Sequence, residues 1–234
     1  PDHVQVHPGH GSGSACGKAL GAVPSTTVGY ERINAWWAPY LRKNDMEGFV
    51  EELLDGQPDA HAYFARMKRQ NKEGPQVLGP LTPPTELTIE EIDKALRKDE
   101  IVFVDTRSHT DVHQGTVAGA LNIPGPAKAA TFGAWAHDPE VDHRPLVLFV
   151  PDGDTARQVR DHLLRVGIDE VSGYTTTLEG LPRLIPPRIG PKELEGFDAA
   201  LVLDVRNKTE YAQGHIPGAH QLSAGRLLAN LDAL

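Results

Sequence analysis

A segment that occurs twice limits the fold of this chain more than any other feature. In residues 105–120 an Asp-Thr-Arg triplet is followed by Asp111, Gly115 and a Gly-Ala pair. In residues 204–219 an Asp-Val-Arg triplet is followed by an acid, a glycine and a Gly-Ala pair at the same offsets, 99 residues further along. Agreement at all of these positions predicts a duplicated domain.

Short apolar runs alternate with helical patterns around the first copy of the repeat. Runs rich in β-branched residues at 101–104 and 146–150 predict buried strands. Thr88 and Glu91 have the spacing of a capping box, and residues 155–166 predict a helix that a glycine ends. Strands that alternate with helices favour an α/β fold with a mainly parallel sheet.

Two further helices are predicted before the repeat. Asn44 and Glu47 have capping-box spacing and precede an apolar stripe over residues 46–54. Pro58 is the predicted first residue of the next helix. One face of that helix is predicted to carry the apolar residues Ala60, Tyr63, Phe64 and Met67.

Residues 204–219 resemble the N-terminal half of a rhodanese (sulfurtransferase-like) domain, because Asp-x-Arg and an acid precede Gly-His-Ile-Pro-Gly-Ala. Residues 105–120 resemble a more divergent copy. The resemblance implies a catalytic cysteine at the end of a central strand, opening a loop whose backbone amides hold an anion. Val150 stands at that position in the first copy, and Asp152 follows it, so we expect this copy to be non-catalytic.

The second copy has the better motif. The cysteine position of the first copy lies 45 residues after Asp105, and the same offset from Asp204 falls outside these 234 residues. Asp204 and Arg206 are expected to make a structural contact within the fold. We also expect residues 198–234 to be poorly stable unless they pack on a neighbour.

The segment of residues 7–32 is rich in glycine and holds several reactive side chains. It contains two motifs, Pro-Gly-His-Gly-Ser-Gly-Ser-Ala-Cys-Gly-Lys and Ser-Thr-Thr-Val-Gly-Tyr-Glu-Arg. It resembles the C-terminal part of a metallo-β-lactamase αββα fold, and more narrowly that of persulfide dioxygenases fused to tandem rhodanese domains. The resemblance implies iron-dependent oxidation of glutathione persulfide or a similar species to sulfite. Sulfur exchange would follow at the second rhodanese-like domain.

His10 is the candidate metal residue. The resemblance implies that it ligates the second metal in a glyoxalase II-like enzyme, with zinc as the metal, or lies near the iron of a persulfide dioxygenase without ligating it. The His-x-His-x-Asp-His motif is absent from this sequence, and three or four ligands are usual at such a site. The alternative is a histidine that bonds to backbone in a tight loop. His109 and His113 have i, i+4 spacing but no third ligand.

Cys16 and Lys18 are the candidate catalytic residues. A thiolate at Cys16 would be a soft nucleophile for persulfide chemistry, and Lys18 with the loop amides would lower the pKa of the thiol. The alternative is that Cys16 is a small buried apolar residue, as free cysteines usually are.

Composition excludes several classes of function. The net charge of −9 and scattered basic residues argue against nucleic-acid binding. No apolar run approaches the length of a membrane span, and a single cysteine fits a reducing compartment, so a cytoplasmic protein is predicted. The expected partner is a small persulfide or thiol substrate, and the sequence leaves a homo-oligomer open.

The predicted domains are a metallo-β-lactamase-like portion at 1–76, a linker at 77–84, an inactive rhodanese-like domain at 85–187 and half of a second one at 188–234. We name the last two ranges the first copy and the second copy. We interpret the chain as a piece of a longer protein that is inactive alone. Two alternatives stay open, a glyoxalase II-like thioester hydrolase and rhodanese-like modules that only dock partners or domains.

Overall fold

The computed structural model describes residues 1–9, 24–57, 60–194 and 202–233. The chain divides into two compact units, Pro1–Pro58 and Asp59–Leu234. In the smaller unit two short strands pair antiparallel, with Gln5 opposite Thr27. Its elements are β1 (Gln5–Val6), β2 (Thr26–Thr27), α1 (Val28–Asn34), α2 (Ala38–Lys43) and α3 (Met46–Leu54).

The cap of α3 differs from the prediction by one residue. Asp45 is the N-cap, and its carboxylate accepts a hydrogen bond from the backbone N–H of Gly48 at 2.9 Å. Asn44 instead ends α2 in the left-handed conformation, with φ of 55°. The predicted capping box of Asn44 and Glu47 is therefore wrong. Asparagine tolerates the left-handed region, so it ends one helix and the adjacent aspartate starts the next.

The larger unit begins with the helix α4 (Tyr63–Glu73) and holds most of the regular structure of the described residues. The strands of its first copy are β3 (Thr85–Glu86), β4 (Val102–Asp105), β5 (Thr116–Val117), β6 (Leu121–Asn122), β7 (Leu146–Phe149), β8 (Val171–Thr175) and β9 (Arg183–Leu184). The helices of the first copy are α5 (Ile89–Arg97), α6 (His109–Val112), α7 (Gly125–Ala136) and α8 (Gly153–Leu164).

The central sheet confirms the predicted α/β fold with a mainly parallel sheet. Five strands lie in the order β3-β8-β7-β4-β6, and each adjacent pair is parallel. β5 and β9 form a separate antiparallel pair. The two predicted buried strands are confirmed as β4 and β7.

Both faces of the sheet are covered, as parallel sheets require. One face packs under α7 and α8 around Val104, Leu148 and Leu163. The other face packs under α5 around Ile92 and Phe103. These two clusters form the core of the larger unit. Complete burial of one such side chain stabilises the folded state by roughly 1.5–3 kcal/mol.

Helix ends in the first copy follow the sequence signals. Thr88 Oγ1 accepts from the N–H of Glu91 at 3.3 Å, and a Glu91 carboxylate oxygen accepts from the N–H of Thr88 at 2.8 Å, which confirms the capping box. α8 extends from Gly153 to Leu164. Gly167 follows it with φ of 68°, a conformation that favours glycine.

The buried residue of α4 is not one of the predicted apolar stripe. Phe64 is 47% exposed, whereas Arg66 is 3% exposed. The Arg66 guanidinium donates through Nη1 to the carbonyl of Val166 at 2.7 Å, and its Nε lies 3.4 Å from Asp138 Oδ1. A buried arginine that binds a loop carbonyl therefore attaches α4 to the first copy. Pro58, the predicted first residue of this helix, lies outside the described residues.

The second copy contains shorter elements. They are α9 (Pro191–Leu194), β10 (Leu203–Asp204), α10 (Lys208–Gln213), β11 (His220–Gln221), α11 (Ala224–Leu227) and a 3₁₀ helix (Leu228–Ala233). β10 and β11 pair in parallel. α11 packs on α7 of the first copy, and the carbonyl of Gly225 accepts from the N–H of Ala62 at 3.0 Å.

Within the described ranges, every helix is too short or too polar to cross a lipid bilayer.

Candidate functional site

The loop from β7 to α8 is the place where the first copy would carry a reactive thiol. Val150 follows the last residue of β7, and Asp152 is the N-cap of α8. Three residues separate the end of the strand from the beginning of the helix, so the loop lies at the carboxyl edge of the sheet. In open parallel sheets, ligands bind at this edge.

Val150 is a core residue and not an exposed one. Its side chain is 2% exposed and packs in the cluster that contains Leu148 and Ala156. Its N–H donates to the carbonyl of Thr175 in β8 at 3.1 Å. A valine here supplies neither a nucleophile nor access for a substrate.

The amino end of α8 is already bound by an acidic side chain. Asp152 Oδ1 accepts from the N–H of Thr155 at 2.7 Å. This backbone hydrogen bond lowers the pKa of Asp152, so the carboxylate is ionised at neutral pH. A helix amino end normally attracts anions, but here a fixed negative charge takes that place. The loop therefore disfavours thiosulfate or a persulfide anion.

Each copy holds an Asp–Arg clamp, which we define as the aspartate, the arginine two residues later and the glycine carbonyl that the arginine contacts. In the first copy Arg107 donates to Asp105 through Nε at 3.0 Å and Nη2 at 2.6 Å. Nη2 also donates to the carbonyl of Gly115 at 2.7 Å. Asp105 is fully buried and also accepts from Thr116 Oγ1 at 2.7 Å.

The second copy repeats this geometry. Arg206 donates to Asp204 through Nε at 2.9 Å and through Nη2 at 2.5 Å. Nη2 also donates to the carbonyl of Gly214 at 2.9 Å. The structure thus shows the structural contact that the sequence predicted for Asp204 and Arg206, and it gives the repeat a physical basis.

A groove of about 630 Å³ lies beside the second clamp. Its lining includes both clamp side chains, His215 and Ile216. The His215 ring stacks on Tyr211 with ring centroids 3.6 Å apart, and the Tyr211 hydroxyl donates to the carbonyl of Ala219 at 2.8 Å. Ring stacking and this hydrogen bond therefore connect α10 to the segment that follows it.

Three of the predicted site residues, His10, Cys16 and Lys18, lie outside the described residues. His109 and His113 are described, and their ring centroids lie 6.1 Å apart. Among the residues that the structure describes, no group of three or more His, Cys, Asp or Glu side chains could hold a metal ion. The described residues therefore do not fit an iron or zinc site.

Comparison with known proteins assigns the segment that contains the second clamp. Residues 191–233 match the family model of the rhodanese-like domain. The chain is similar in structure to a metallo-β-lactamase from Staphylococcus aureus subsp. aureus COL, with a TM-score of 0.51 and 29% identity. The similarity covers 74% of this chain and 45% of that chain, so this chain spans less than half of the length of that relative.

Two sulfurtransferase structures are also similar to this chain. The thiosulfate sulfurtransferase from Pseudomonas aeruginosa is 18% identical, with a TM-score of 0.32, over 73% of this chain and 38% of its own. A human single-domain sulfurtransferase is 23% identical, with a TM-score of 0.30, over 40% of this chain and 89% of its own. The rhodanese-like match and the metallo-β-lactamase similarity support an architecture that combines the two folds.

Two features of these sites were missed by the sequence analysis. Thr116 completes the hydrogen bonding of Asp105, but the equivalent position of the second copy, 11 residues after Asp204, holds His215, so the repeat gives no sign of this role. The carbonyls of Gly115 and Gly214 were also missed, since a backbone acceptor leaves no side-chain signal. The repeated glycine offset was the one usable clue.

Proposed function

We propose that the protein acts in persulfide oxidation and sulfur transfer. In this proposal a metallo-β-lactamase-like domain, to which residues 1–76 contribute the C-terminal part, oxidises glutathione persulfide or a similar small persulfide to sulfite with iron. The second copy exchanges sulfur with a persulfide or thiol substrate. The first copy is a non-catalytic module between them.

One observation carries this proposal more than the others. The clamp of Asp204 and Arg206 lies inside the segment that matches the rhodanese-like domain. The same chain is similar over most of its length to a metallo-β-lactamase structure. A rhodanese-like segment and a similarity to a metallo-β-lactamase fold in one chain support a protein that couples persulfide oxidation to sulfur exchange.

The described residues define the role of the first copy in this proposal. Val150 cannot accept a sulfane sulfur, because the side chain of valine has no nucleophilic atom. Asp152 keeps a negative charge at the amino end of α8. These two residues together support docking or spacing as the role of the first copy, and leave sulfur exchange to the second.

Iron would be the metal of the metallo-β-lactamase-like domain. It would supply oxygen activation when bound, and the proposal places its ligands outside the described ranges. His10 would lie near that metal, and Cys16 with Lys18 would contact the persulfide. The described residues of the smaller unit contribute the paired strands on either side of this segment, since β1 and β2 flank residues 10–23.

The test compares the 234-residue chain with an extended polypeptide that contains it together with a whole metallo-β-lactamase-like domain and a whole second rhodanese-like domain. Oxygen uptake with glutathione persulfide is measured after addition of Fe²⁺, and sulfur transfer is measured from thiosulfate to cyanide. We expect both activities in the extended polypeptide and neither in the 234-residue chain. The proposal is wrong if the extended polypeptide takes up no oxygen. The assignment to the second copy is wrong if the 234-residue chain transfers sulfur and a substitution within residues 150–156 abolishes the transfer.

A further inference from the structure

A cavity of about 330 Å³ lies at the amino edge of the central sheet of the first copy. The beginning of β4 lines it, at Val102 and Phe103. The carboxyl end of α7 also lines it, and so does Leu228 of the 3₁₀ helix in the second copy. The Val150 loop lies at the opposite edge of the sheet, because it follows the last residue of the parallel strand β7. The cavity is therefore separate from the rhodanese-type loop.

Most of the cavity wall is apolar. The apolar lining includes Leu96, Phe103, Leu121, Ala136, Val141 and Leu228. The volume lies at the lower end of the range of small-molecule sites, which is roughly 300–1,000 Å³. Such a wall favours a small hydrophobic group, for example one aromatic ring.

One polar side chain in the wall is almost completely buried. His137 follows the last residue of α7 and is 4% exposed. Burial lowers the pKa of its imidazole, although Asp142 and Asp138 oppose that shift. The ring is therefore neutral at pH 7 and retains one nitrogen that can accept a hydrogen bond. Within the described part of the chain, no side-chain hydrogen bond of His137 is found.

The charged groups at the mouth of the cavity are mainly acidic. Asp99, Asp138 and Asp142 line it, against the single guanidinium of Arg144. Arg144 is already bound, because it donates to Asp142 through Nε at 2.9 Å and Nη2 at 2.6 Å and through Nη1 to Asp99. Arg66 offsets part of the charge of Asp138, at 3.4 Å. The remaining charge is negative, and the arginine has its donors directed to carboxylates.

We propose that this cavity binds a small organic ammonium ion that carries an apolar group. The apolar group lies against Phe103, Leu121 and Leu228. The ammonium group donates to the imidazole of His137 and is stabilised by the carboxylates at the mouth. An anion would meet those carboxylates with no free guanidinium donor, and a neutral ligand would gain nothing from them.

The cavity is lined by residues of both copies, so a bound ligand would couple them. Leu228 belongs to the second copy, whereas the other apolar wall residues named above belong to the first. A ligand in the cavity therefore contacts both. Because a ligand that binds only the assembled form stabilises it, occupancy is expected to favour packing of the second copy on the first.

The test is a titration of the ¹⁵N-labelled 234-residue chain at pH 7 with three probes of the same shape, benzylamine, benzyl alcohol and benzoate. Benzylamine is expected to bind with a dissociation constant on the order of 1 mM, with shifts at His137 and Leu228. Benzyl alcohol is expected to bind at least about 5-fold more weakly, and benzoate more weakly still. The proposal is overturned if benzyl alcohol or benzoate binds as tightly as benzylamine, or if the shifts fall elsewhere.

Two variants and a control locate the binding. Asp142→Asn removes one carboxylate of the mouth and is expected to weaken benzylamine binding by about 3- to 10-fold. Asp154→Asn makes the same change at the opposite edge of the sheet and is expected to leave binding unchanged. Val141→Trp obstructs the mouth at a residue that is 80% exposed, so folding is retained and binding is lost. Equal effects of Asp142→Asn and Asp154→Asn, or unchanged binding in Val141→Trp, would contradict the proposal.

Discussion

Arg206 Nη2 donates a hydrogen bond to Oδ2 of Asp204, two residues before it, at 2.5 Å. The same nitrogen also donates to the carbonyl of Gly214. Arg107 holds Asp105 in the same way in the first copy. The two clamps differ in burial, because the aspartate and arginine side chains are 0% and 29% exposed in the first copy and 11% and 45% exposed in the second. The same motif is therefore more deeply buried in the first copy than in the second.

The difference in burial predicts unequal costs for removing the two aspartates. Asp105→Ala is expected to destabilise the larger unit by about 3 kcal/mol, because it leaves the guanidinium of Arg107 and the hydroxyl of Thr116 without their acceptor. Asp204→Ala is expected to cost much less, because water can solvate Arg206. Urea denaturation of both variants measures the costs. Equal losses of stability would contradict this account.

Acid pH should release the clamp of the second copy. The hydrogen bonds from the Arg206 side chain lower the pKa of Asp204 to about 2. A carboxylate with a lowered pKa stabilises the fold above the pKa of the unfolded chain, near 4, and that contribution is lost as the pH falls toward 2. We expect the Asp204 carboxyl ¹³C shift to titrate near pH 2 in the wild-type chain.

The matched variant of this experiment is Arg206→Met, which keeps an unbranched side chain and removes the donors. The pKa of Asp204 is then expected to return toward about 4. Arg157→Met removes an exposed arginine that pairs with Asp154 at 3.2 Å in α8, and serves as the control. If the pKa of Asp204 were unchanged in Arg206→Met, the clamp would not be its cause.

A cysteine placed at the rhodanese-type position of the first copy should be unreactive. Val150 is 2% exposed, whereas the adjacent Pro151 is exposed. In a Cys16→Ser background we expect the thiol of Val150→Cys to react with iodoacetamide at least about 10-fold more slowly than that of Pro151→Cys. Sulfur transfer from thiosulfate should be absent in Val150→Cys. Fast alkylation of Val150→Cys would show that the loop is open.

The sequence could predict the features that depend on neighbouring residues. The strands β4 and β7 are continuous apolar runs, and the Thr88–Glu91 capping box depends on residues three apart. The predicted N-cap of α3 was wrong by one residue, because asparagine and aspartate are both favourable at this position. Only the left-handed backbone of Asn44 excludes it as the N-cap. The place of Val150 after β7 was predictable because it depends only on the position of the strand in the sequence, whereas the lack of catalysis by this copy stays a prediction.

The sequence could not predict features that require distant segments to meet. The cavity around His137 brings together residues from α5, α7 and the 3₁₀ helix, and none of these segments carries a local motif for it. The burial of Arg66 in α4 was equally unpredictable, since its guanidinium binds the carbonyl of Val166, 100 residues further along the chain. The domain boundaries, and the roles of His10, Cys16 and Lys18, stay predictions.

The contact between Gly225 and His61 predicts how firmly the second copy is held. A Cβ added at Gly225 would lie 2.0 Å from His61 Nδ1 and 2.8 Å from His61 Cε1, which no side chain tolerates without a shift. His61 also packs against Trp135 of α7, with ring centroids 5.1 Å apart. Gly225→Ala is therefore expected to displace α11 from α7 and to cost about 1–3 kcal/mol.

A double-mutant cycle separates this clash from any general effect of alanine on α11. Because His61→Ala removes the ring, Gly225→Ala in that background should cost little, with an interaction energy of about 1–2 kcal/mol between the two changes. Gly9→Ala, where an added Cβ meets no atom of the described residues within 4 Å, serves as the control for a glycine substitution. Urea denaturation measures the stabilities, and the indole ¹H–¹⁵N signal of Trp135 reports the displacement of α11. Additive costs in the cycle, with an unmoved Trp135 signal in Gly225→Ala, would show that Gly225 does not hold the second copy against His61.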